Sequence, residues 1–114
     1  MIDMNPQVKK LLEQTGVKVV QGTVFEFNTV PLITYRKITT EQGFGADNRE
    51  CSQRSKFAVD IWSNSPVQNS NIGVKVNEIM QGDGWVRTYD YDVPRQDPNE
   101  LFHTAMRFKK EVEF

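Results

Sequence analysis

The chain has 114 residues and a formal net charge of -1 at pH 7, with 38% hydrophobic and 25% charged residues. This length suits one domain with a single core, and the composition is that of a globular protein, not a disordered one. The small negative charge disfavours a protein that holds DNA through a broad basic surface, because such proteins displace counterions from many phosphates. We therefore expect one domain spanning residues 1–114.

The counts of cysteine and histidine limit the kinds of site that the chain can form and help to predict its cellular compartment. Cys51 is the only cysteine and His103 the only histidine, so the chain has neither an intramolecular disulfide nor a cysteine-rich zinc site. No stretch approaches the roughly 18 consecutive apolar residues of a membrane span. Residues 1–6 also lack the basic flank and apolar run of a signal peptide. These features predict a protein made and kept in the cytoplasm, with no membrane partner.

The first predicted element is a short helix. Asn5 followed by Pro6 is a helix-start pattern, because Asn caps free N–H groups and Pro tolerates the first helical position. Gly16 offers a left-handed stop. The apolar side chains between these points share one face and are Val8, Leu11 and Leu12.

Three segments of different character follow the first helix. Residues 17–27 alternate with an interruption at Gly22, and residues 30–39 carry few helix signals, so both are predicted to be strands. Pro31 suits the start or the edge of the second strand better than its interior. Residues 40–50 are polar and punctuated by glycine, which predicts a mobile loop.

Between residues 56 and 80 the pattern changes from strand to helix. Residues 56–62 alternate between apolar and polar, which places Phe57, Val59 and Ile61 on one strand face. Ser65 then caps a helix that begins at Pro66 and runs to about residue 80. Its apolar residues fall at positions i, i+4, i+7 and i+8 and are Ile72, Val76, Ile79 and Met80.

Two more strands complete the chain. Residues 85–92 alternate, which predicts Trp85, Tyr89 and Tyr91 on one side and Asp90 and Asp92 on the other. After a turn over residues 94–98, residues 101–114 favour a strand over a helix. The order helix, three strands, helix, two strands predicts an α+β domain with a mainly antiparallel sheet of about five strands and two helices packed on one face.

Two side chains are candidates for catalysis. Histidine is the residue type whose unperturbed titration lies near neutrality, so His103 is the candidate for general acid–base work. Cys51 lies between Arg49 and Arg54, which would favour its thiolate. Because no partner base or nucleophile is recognisable beside either residue, packing and surface roles are favoured, and no catalytic residue is predicted.

Three further patterns were weighed as binding sites. Gly43, Phe44 and Gly45 lack the spacing of a phosphate loop, so a flexible loop is favoured. The acids Asp83, Asp90, Asp92 and Asp97 lack the order of a calcium loop, so no metal or cofactor is expected. The aromatic residues Trp62, Trp85, Tyr89 and Tyr91 would need a basic groove to bind single-stranded nucleic acid, so packing and protein contact are favoured.

Several segments together resemble the tail-completion and tail-terminator proteins of long-tailed bacteriophages. They are the run over residues 56–63, a helix that closes near residues 77–80, a glycine turn into residues 85–87, and the closing run over residues 103–108. The resemblance covers roughly the last two-thirds of the chain.

The resemblance implies a virion structural protein without catalytic residues. Such a protein assembles as a hexameric ring at the head–tail junction, ends the tail tube and joins it to the head connector. Its partners would be copies of itself, the tail-tube protein and the connector proteins, with DNA passing through the ring without specific binding. A neighbouring neck protein stays open as an alternative, as do a small nucleic-acid-binding module and a small enzyme that uses Cys51 or His103.

The ring implied by the resemblance also predicts roles for particular surfaces of the subunit. We expect residues 30–39 or residues 101–108 to supply a sheet edge for contact between subunits. We expect the loop over residues 40–50 to become ordered when a partner docks. Asp90 and Asp92, or the acids of that loop, are expected to line the channel, because phosphates slide past acidic walls.

Overall fold

A computed structural model describes residues 1–22, 29–45 and 49–114. Within this part, the elements are α1 (Asn5–Glu13), β1 (Lys18–Gln21), β2 (Leu32–Phe44), β3 (Glu50–Ser63), α2 (Pro66–Gly82), β4 (Val86–Val93) and β5 (Phe102–Glu113). The strands form one sheet in the order β1-β2-β3-β5-β4. β1 and β2 are parallel and every other pair is antiparallel. The predicted α+β class and mainly antiparallel sheet are confirmed; the part of the first predicted strand after residue 22 lies outside the described residues.

Both helices cover the same face of the sheet. Phe57, Val59 and Ile61 on β3 are fully buried on this face, as the alternating pattern predicted. Their partners come from both helices and are Val8 and Leu12 of α1 and Ile72, Val76 and Met80 of α2. Each such side chain stabilises the fold by about 1.5–3 kcal/mol through removal of apolar surface from water. The sequence pattern therefore located the core correctly.

The helix ends agree with the sequence in two places and differ in one. Ser65 accepts a hydrogen bond from the amide of Gln68 at 3.4 Å, and Gly16 has a φ of 77° after α1, both as predicted. Asn5, however, does not cap α1: Met4 occupies the cap position without a side-chain bond. Asn5 instead donates its backbone and side-chain N–H groups to Asp3 at 3.0 and 2.8 Å. The Asx-type turn at Asp3 takes the place of the cap.

The predicted loop over residues 40–50 is instead the outer end of a long hairpin. β2 continues to Phe44 and β3 begins at Glu50, and these two residues form the last cross-strand pair, after an irregularity in the ladder at Gly43. The amide of Gly45 donates to the carbonyl of Arg49 at 2.9 Å and closes the connection. The loop prediction was wrong because strand pairing needs backbone partners and not apolar side chains. Residues 46–48 lie outside the described part.

The amino-terminal residues lie across this hairpin, whose outer part, residues 37–44 and 50–56, we call the hairpin arm. The buried Gln53 side chain accepts from the amide of Ile2 at 2.8 Å and donates to its carbonyl at 2.7 Å. The terminal amino group of Met1 lies 3.2 Å from Glu50. A hydrogen bond from Gln42 and a second from that amino group lower the pKa of the Glu50 carboxyl. Polar contacts with the amino-terminal residues thus cover the arm, in place of the apolar side chains of the helices.

The sheet order corrects one expected edge. β5 lies between β3 and β4, so residues 101–108 are in the interior of the sheet and cannot supply an edge. β4 forms one edge. On the other side β1 pairs with β2 only from Leu32 to Tyr35, and beyond Tyr35 no strand in the described part pairs with the outer side of β2. Within residues 30–39, an open edge among the described residues is therefore limited to the part after Tyr35, and its use in a subunit contact stays a prediction.

Candidate functional site

The sheet face opposite the helices, here called the open face, carries a polar cluster built on Asp60, Trp62 and His103. Strand register produces it: Thr34 of β2 pairs with Asp60 of β3, and Trp62 of β3 pairs with His103 of β5. Neighbouring pairs on one face lie close enough for their side chains to meet. The cluster therefore arises from three strands that are distant in sequence.

Its geometry fixes the orientation of the histidine. His103 Nε2 lies 2.8 Å from Asp60 Oδ1, and the imidazole stacks on the indole of Trp62 with centroids 3.7 Å apart and planes at 11°. Trp62 Nε1 donates to the hydroxyl of Thr34 at 3.2 Å, and Arg107 Nη1 lies 3.9 Å from the same Asp60 oxygen. A carboxylate on one ring nitrogen selects the position of the imidazole proton. The arrangement can therefore hold a proton in a defined place.

A cleft of about 490 Å³ lies beside this cluster. Its walls come from the ends of β3 and β5 and from the connection between β4 and β5, and include Trp62, His103, Val93, Arg95 and Leu101. Arg95 holds the connection, because its guanidinium lies 3.9 Å above the ring of Phe102 and donates to the carbonyls of Pro98 and Glu100. The volume is in the range of small-molecule pockets.

The two catalytic candidates from the sequence lie far apart. Cys51 is exposed near the start of β3, whereas His103 pairs with Trp62, eleven residues further along the same strand. At about 3.3 Å per residue that separation is roughly 36 Å. Cys51 and His103 therefore cannot act on one substrate in a single chain. The partner that sequence reasoning missed is Asp60, whose only signal was a charge in the middle of an apolar strand.

The four acids considered as a cation site do not come together: Asp90 and Asp92 share one face of β4, and Asp83 and Asp97 lie elsewhere. Asp83 accepts from Lys110 Nζ at 3.0 Å, and Asp92 accepts from the hydroxyl of Thr104 at 2.8 Å. Asp97 accepts from the amide of Asn99 in the turn before β5. Among the residues that the structure describes, no group of three or more His, Cys, Asp or Glu side chains is placed to hold a metal ion.

The four aromatic residues also separate. Trp85 is buried on the helix side, edge to face with Phe57 at 5.5 Å, so its predicted position beside Tyr89 and Tyr91 was wrong. Trp85 precedes β4 and is not part of its alternation. Tyr89 and Tyr91 lie next to each other on the open face, with centroids 5.8 Å apart, and Trp62 stacks on His103. A continuous stacking platform of all four is not formed.

The edge strand β4 is the most exposed element of the sheet. Every residue from Val86 to Asp92 is exposed. On its helix side a groove of about 270 Å³ separates β4 from α2, and its charged walls are Glu78, Asp90, Asp92 and Arg87. Acids outnumber cations there, so this edge carries negative charge.

The open face carries the opposite charge at its centre. Arg36 and Arg107 flank the buried Ala58, and Lys56 lies directly opposite Lys109 in the next row. Like charges placed directly opposite on a sheet are destabilising. The salt bridges of Lys56 with Glu41 at 3.7 Å and of Arg107 with Asp60 offset part of this charge. The open face therefore carries a cationic patch, although the net charge of the chain is slightly negative.

Comparison with known proteins gives no family for this chain. No protein-family model matches it. No curated protein matches it in sequence. Within residues 1–22, 29–45 and 49–114, neither helix has the length and apolar character needed to cross a membrane.

Proposed function

We propose that this protein is a subunit of a ring that ends the tail tube of a long-tailed phage and joins it to the head connector. The resemblance on which this rests involves segments that are scattered in sequence but contiguous in the fold. They form the second half of β3, the end of α2, the entry to β4 and the first half of β5. β3 and β5 pair along most of their length and α2 packs on both. The resembling residues thus make up one structural unit, the centre of the domain.

The observation that carries the proposal is the open sheet edge formed by β4, together with the outer side of β2 as far as the described residues show it. β4 is exposed along its length, and in the described residues the outer side of β2 has no partner after Tyr35. Open edges present rows of backbone donors and acceptors that other strands complete. A protein built to remain alone usually blunts such edges. This subunit is instead suited to repeated head-to-tail contacts that close into a ring.

The polar cluster on the open face fits a structural role in this proposal. His103 is held by Asp60 and Trp62, and Cys51 is too distant to join them. Cross-strand hydrogen bonds and ring stacking tie β2, β3 and β5 together on the side that no helix covers. We propose that the cluster stabilises the sheet, and we propose no catalytic residue, metal or cofactor.

Native mass tests the proposal directly. Sedimentation or native mass spectrometry of the purified protein is expected to give a closed particle of six times 13.2 kDa, alone or when tail tubes are added. Electron microscopy of such a mixture should show the particle at one end of each tube. A protein that stays monomeric at every concentration and ignores tail tubes would refute the proposal. Binding to the head connector but not to the tube would instead identify a neck protein.

A second candidate function, binding of single-stranded nucleic acid, has one observation in its favour. The cations Arg36, Lys56, Arg107 and Lys109 lie together on the open face, beside Tyr89. Cations next to aromatic rings are the elements of a surface for single-stranded nucleic acid. Retention of an oligonucleotide that weakens steeply as salt is raised would favour this function. Indifference to nucleic acid at low salt would exclude it.

A further inference from the structure

The groove between α2 and β4, here called the acidic groove, carries an excess of negative charge. Glu78 of α2 and Asp90 and Asp92 of β4 line it, and Arg87 is the cation among its walls. Glu78 and Asp90 are exposed, and their side chains form no salt bridge or hydrogen bond within the described part of the chain. Asp92 accepts from the hydroxyl of Thr104. These acids therefore repel one another in the free subunit.

The cationic patch on the open face has the opposite excess. Lys56 and Lys109 lie directly opposite each other, and Arg107 follows in the next row. Lys109 is exposed and forms no salt bridge with any residue that the structure describes. Lys56 and Arg107 reach acids at 3.7 and 3.9 Å. Because like charges directly opposite on a sheet lower stability, the fold keeps an unfavourable pair on the face opposite both helices.

Exposed apolar side chains lie within both charged surfaces. Val74, which is 56% exposed, lines the acidic groove. On the open face, Val86 pairs with Lys109 and is 53% exposed, and the half-exposed Tyr89 pairs with Arg107. Apolar side chains inside a charged rim are the arrangement of a protein–protein interface. In such an interface the apolar contact supplies affinity, and the charges select the partner and its orientation.

Contact of either surface with the same surface of another copy is unfavourable. A two-fold pairing of β4 centred on Tyr91 sets Asp90 of each copy against Asp92 of the other, and one centred on Asp90 sets that residue against itself. Two cationic patches would repel in the same way. Contact between the acidic groove of one copy and the cationic patch of the next instead offsets both excesses. Because the two surfaces lie on opposite sides of the sheet, one copy can use both at once, as a head-to-tail ring requires.

We propose that the acidic groove of one copy docks on the cationic patch of the next, with Glu78 and Asp90 facing Lys56 and Lys109. The occupant of both surfaces is a second copy of this chain. Because β4 forms one wall of the groove, the contact places the next copy beside its open edge. The inference rests on the proposed ring and names its subunit contact. It gives the acids of β4 a role between subunits in place of the channel lining expected from the sequence.

Charge reversal in two variants tests this contact. One variant carries Glu78→Lys and Asp90→Lys, and the other carries Lys56→Glu and Lys109→Glu. Each variant alone sets like charges against each other, so each is expected to assemble at about tenfold higher protein concentration than the wild type in native mass spectrometry. An equimolar mixture is expected to restore assembly, because the altered groove then meets the altered patch and the unaltered groove meets the unaltered patch. Restored particles should contain the two variants in equal numbers.

A neutral variant separates a subunit contact from an ordinary solvated surface. Lys109→Gln removes the like-charge pair with Lys56, so the isolated subunit is expected to unfold at a higher urea concentration. The same change removes a cation from the contact, so assembly is expected to need about threefold more protein. A gain in stability with unchanged assembly would show that this part of the patch faces solvent in the particle, and would overturn the proposal.

Matched controls change the same charges elsewhere. Lys9→Glu with Lys10→Glu, and Glu13→Lys, alter exposed residues of α1 that belong to neither surface, and are expected to leave assembly unchanged. Circular dichroism confirms that each variant folds, and the single variants Asp90→Lys and Lys109→Glu replace a double variant that does not. Raising salt should narrow the difference between wild type and the reversed variants.

The outcomes separate the subunit contact from the function. If the wild type forms rings and the reversed variants assemble equally well, the contact is wrong and the ring stands. If each variant fails and the mixture also fails, the contact is likewise wrong. If reversing Lys56 and Lys109 abolishes binding of an oligonucleotide and leaves assembly unchanged, the patch serves nucleic acid and the contact is wrong. If the wild type stays monomeric, or stops at a dimer, the ring and the contact inferred from it both fall.

Discussion

β3 crosses two regions of the molecule that bury its helix-side residues in different ways. Under the helices, Phe57, Val59 and Ile61 are enclosed by apolar side chains of α1 and α2. In the hairpin arm, Gln53 and Ser55 are equally buried, but they are hydrogen-bonded to each other and Gln53 to the backbone of Ile2. One strand thus has an apolar inner half and a polar outer half. Burial alone therefore does not identify a hydrophobic core.

The difference matters because the two kinds of burial respond differently to change. Apolar packing is non-directional and cooperative, so its loss lowers the stability of the whole domain. Hydrogen bonds to one amino-terminal segment are local, so their loss opens that segment first. We expect the arm to open locally without unfolding the core.

The largest effect is expected in the apolar half. Phe57→Ala should lower the free energy of unfolding by about 3–5 kcal/mol, since it leaves a cavity and removes the edge-to-face contact with Trp85. Unfolding in urea, followed by tryptophan fluorescence, measures it. Val67→Ala on the exposed side of α2 is the control and should change stability by less than about 0.5 kcal/mol. Similar losses in both variants would contradict this location of the core.

A smaller and more local effect is expected in the arm. Gln53→Ala removes the partner of both backbone groups of Ile2 and should cost about 1–3 kcal/mol. Hydrogen exchange should speed up at the Ile2 amide while amides of β3 under the helices keep their protection. Thr39→Ala, an exposed position on the same arm, should leave Ile2 protected. Equal loss of protection throughout the sheet would show that the two halves unfold together.

A gain in stability is expected on the helix that covers the apolar half. Gly73 lies within α2, and a methyl group there would meet Ile61 at 3.8 Å and Met106 at 4.0 Å, ordinary contact distances. Gly73→Ala should therefore raise the free energy of unfolding by about 0.5–1 kcal/mol through helix propensity. Gly84→Ala is the contrasting variant, because Gly84 has a φ of 93° and should lose stability. Thermal unfolding of both variants measures this difference. A rise in stability for Gly73→Ala and a fall for Gly84→Ala would show that the gain comes from helix propensity and not from replacing any glycine.

The smallest effect on stability is expected when the pH is lowered, and it arises from a carboxyl group of the arm. Hydrogen bonds, first from Gln42 and then from the terminal amino group, lower the pKa of Glu50. A lowered pKa in the folded state means that the contribution is present above the ordinary glutamate pKa and is lost as pH falls through the folded value. Glu50→Gln should flatten the decline of stability in that range. Asp3, whose pKa is lowered chiefly by the backbone hydrogen bond from Asn5, acts in the same direction. Asp3→Asn is therefore measured beside Glu50→Gln, and an unchanged slope in the latter would contradict the prediction.

Local patterns in the sequence were informative wherever a residue's neighbours along the chain decide its environment. The alternation around Phe57, the helical spacing of Ile72 and Val76, and the cap at Ser65 all predicted the observed structure. These features depend on periods of two or 3.6 residues and on groups within one turn. The same reasoning missed the arm, because polar residues pair as strands only when a partner strand is already in place.

The class of fold and the apolar core could be predicted from the sequence, because hydrophobic periodicity depends on residues close together along the chain. Only the tertiary structure decided which strands lie at the edges, which charges share a face, and that Asp60, Trp62 and His103 meet. Those outcomes depend on register between strands tens of residues apart, and register is set by the assembled sheet as a whole. The candidate site belongs to this second kind of information.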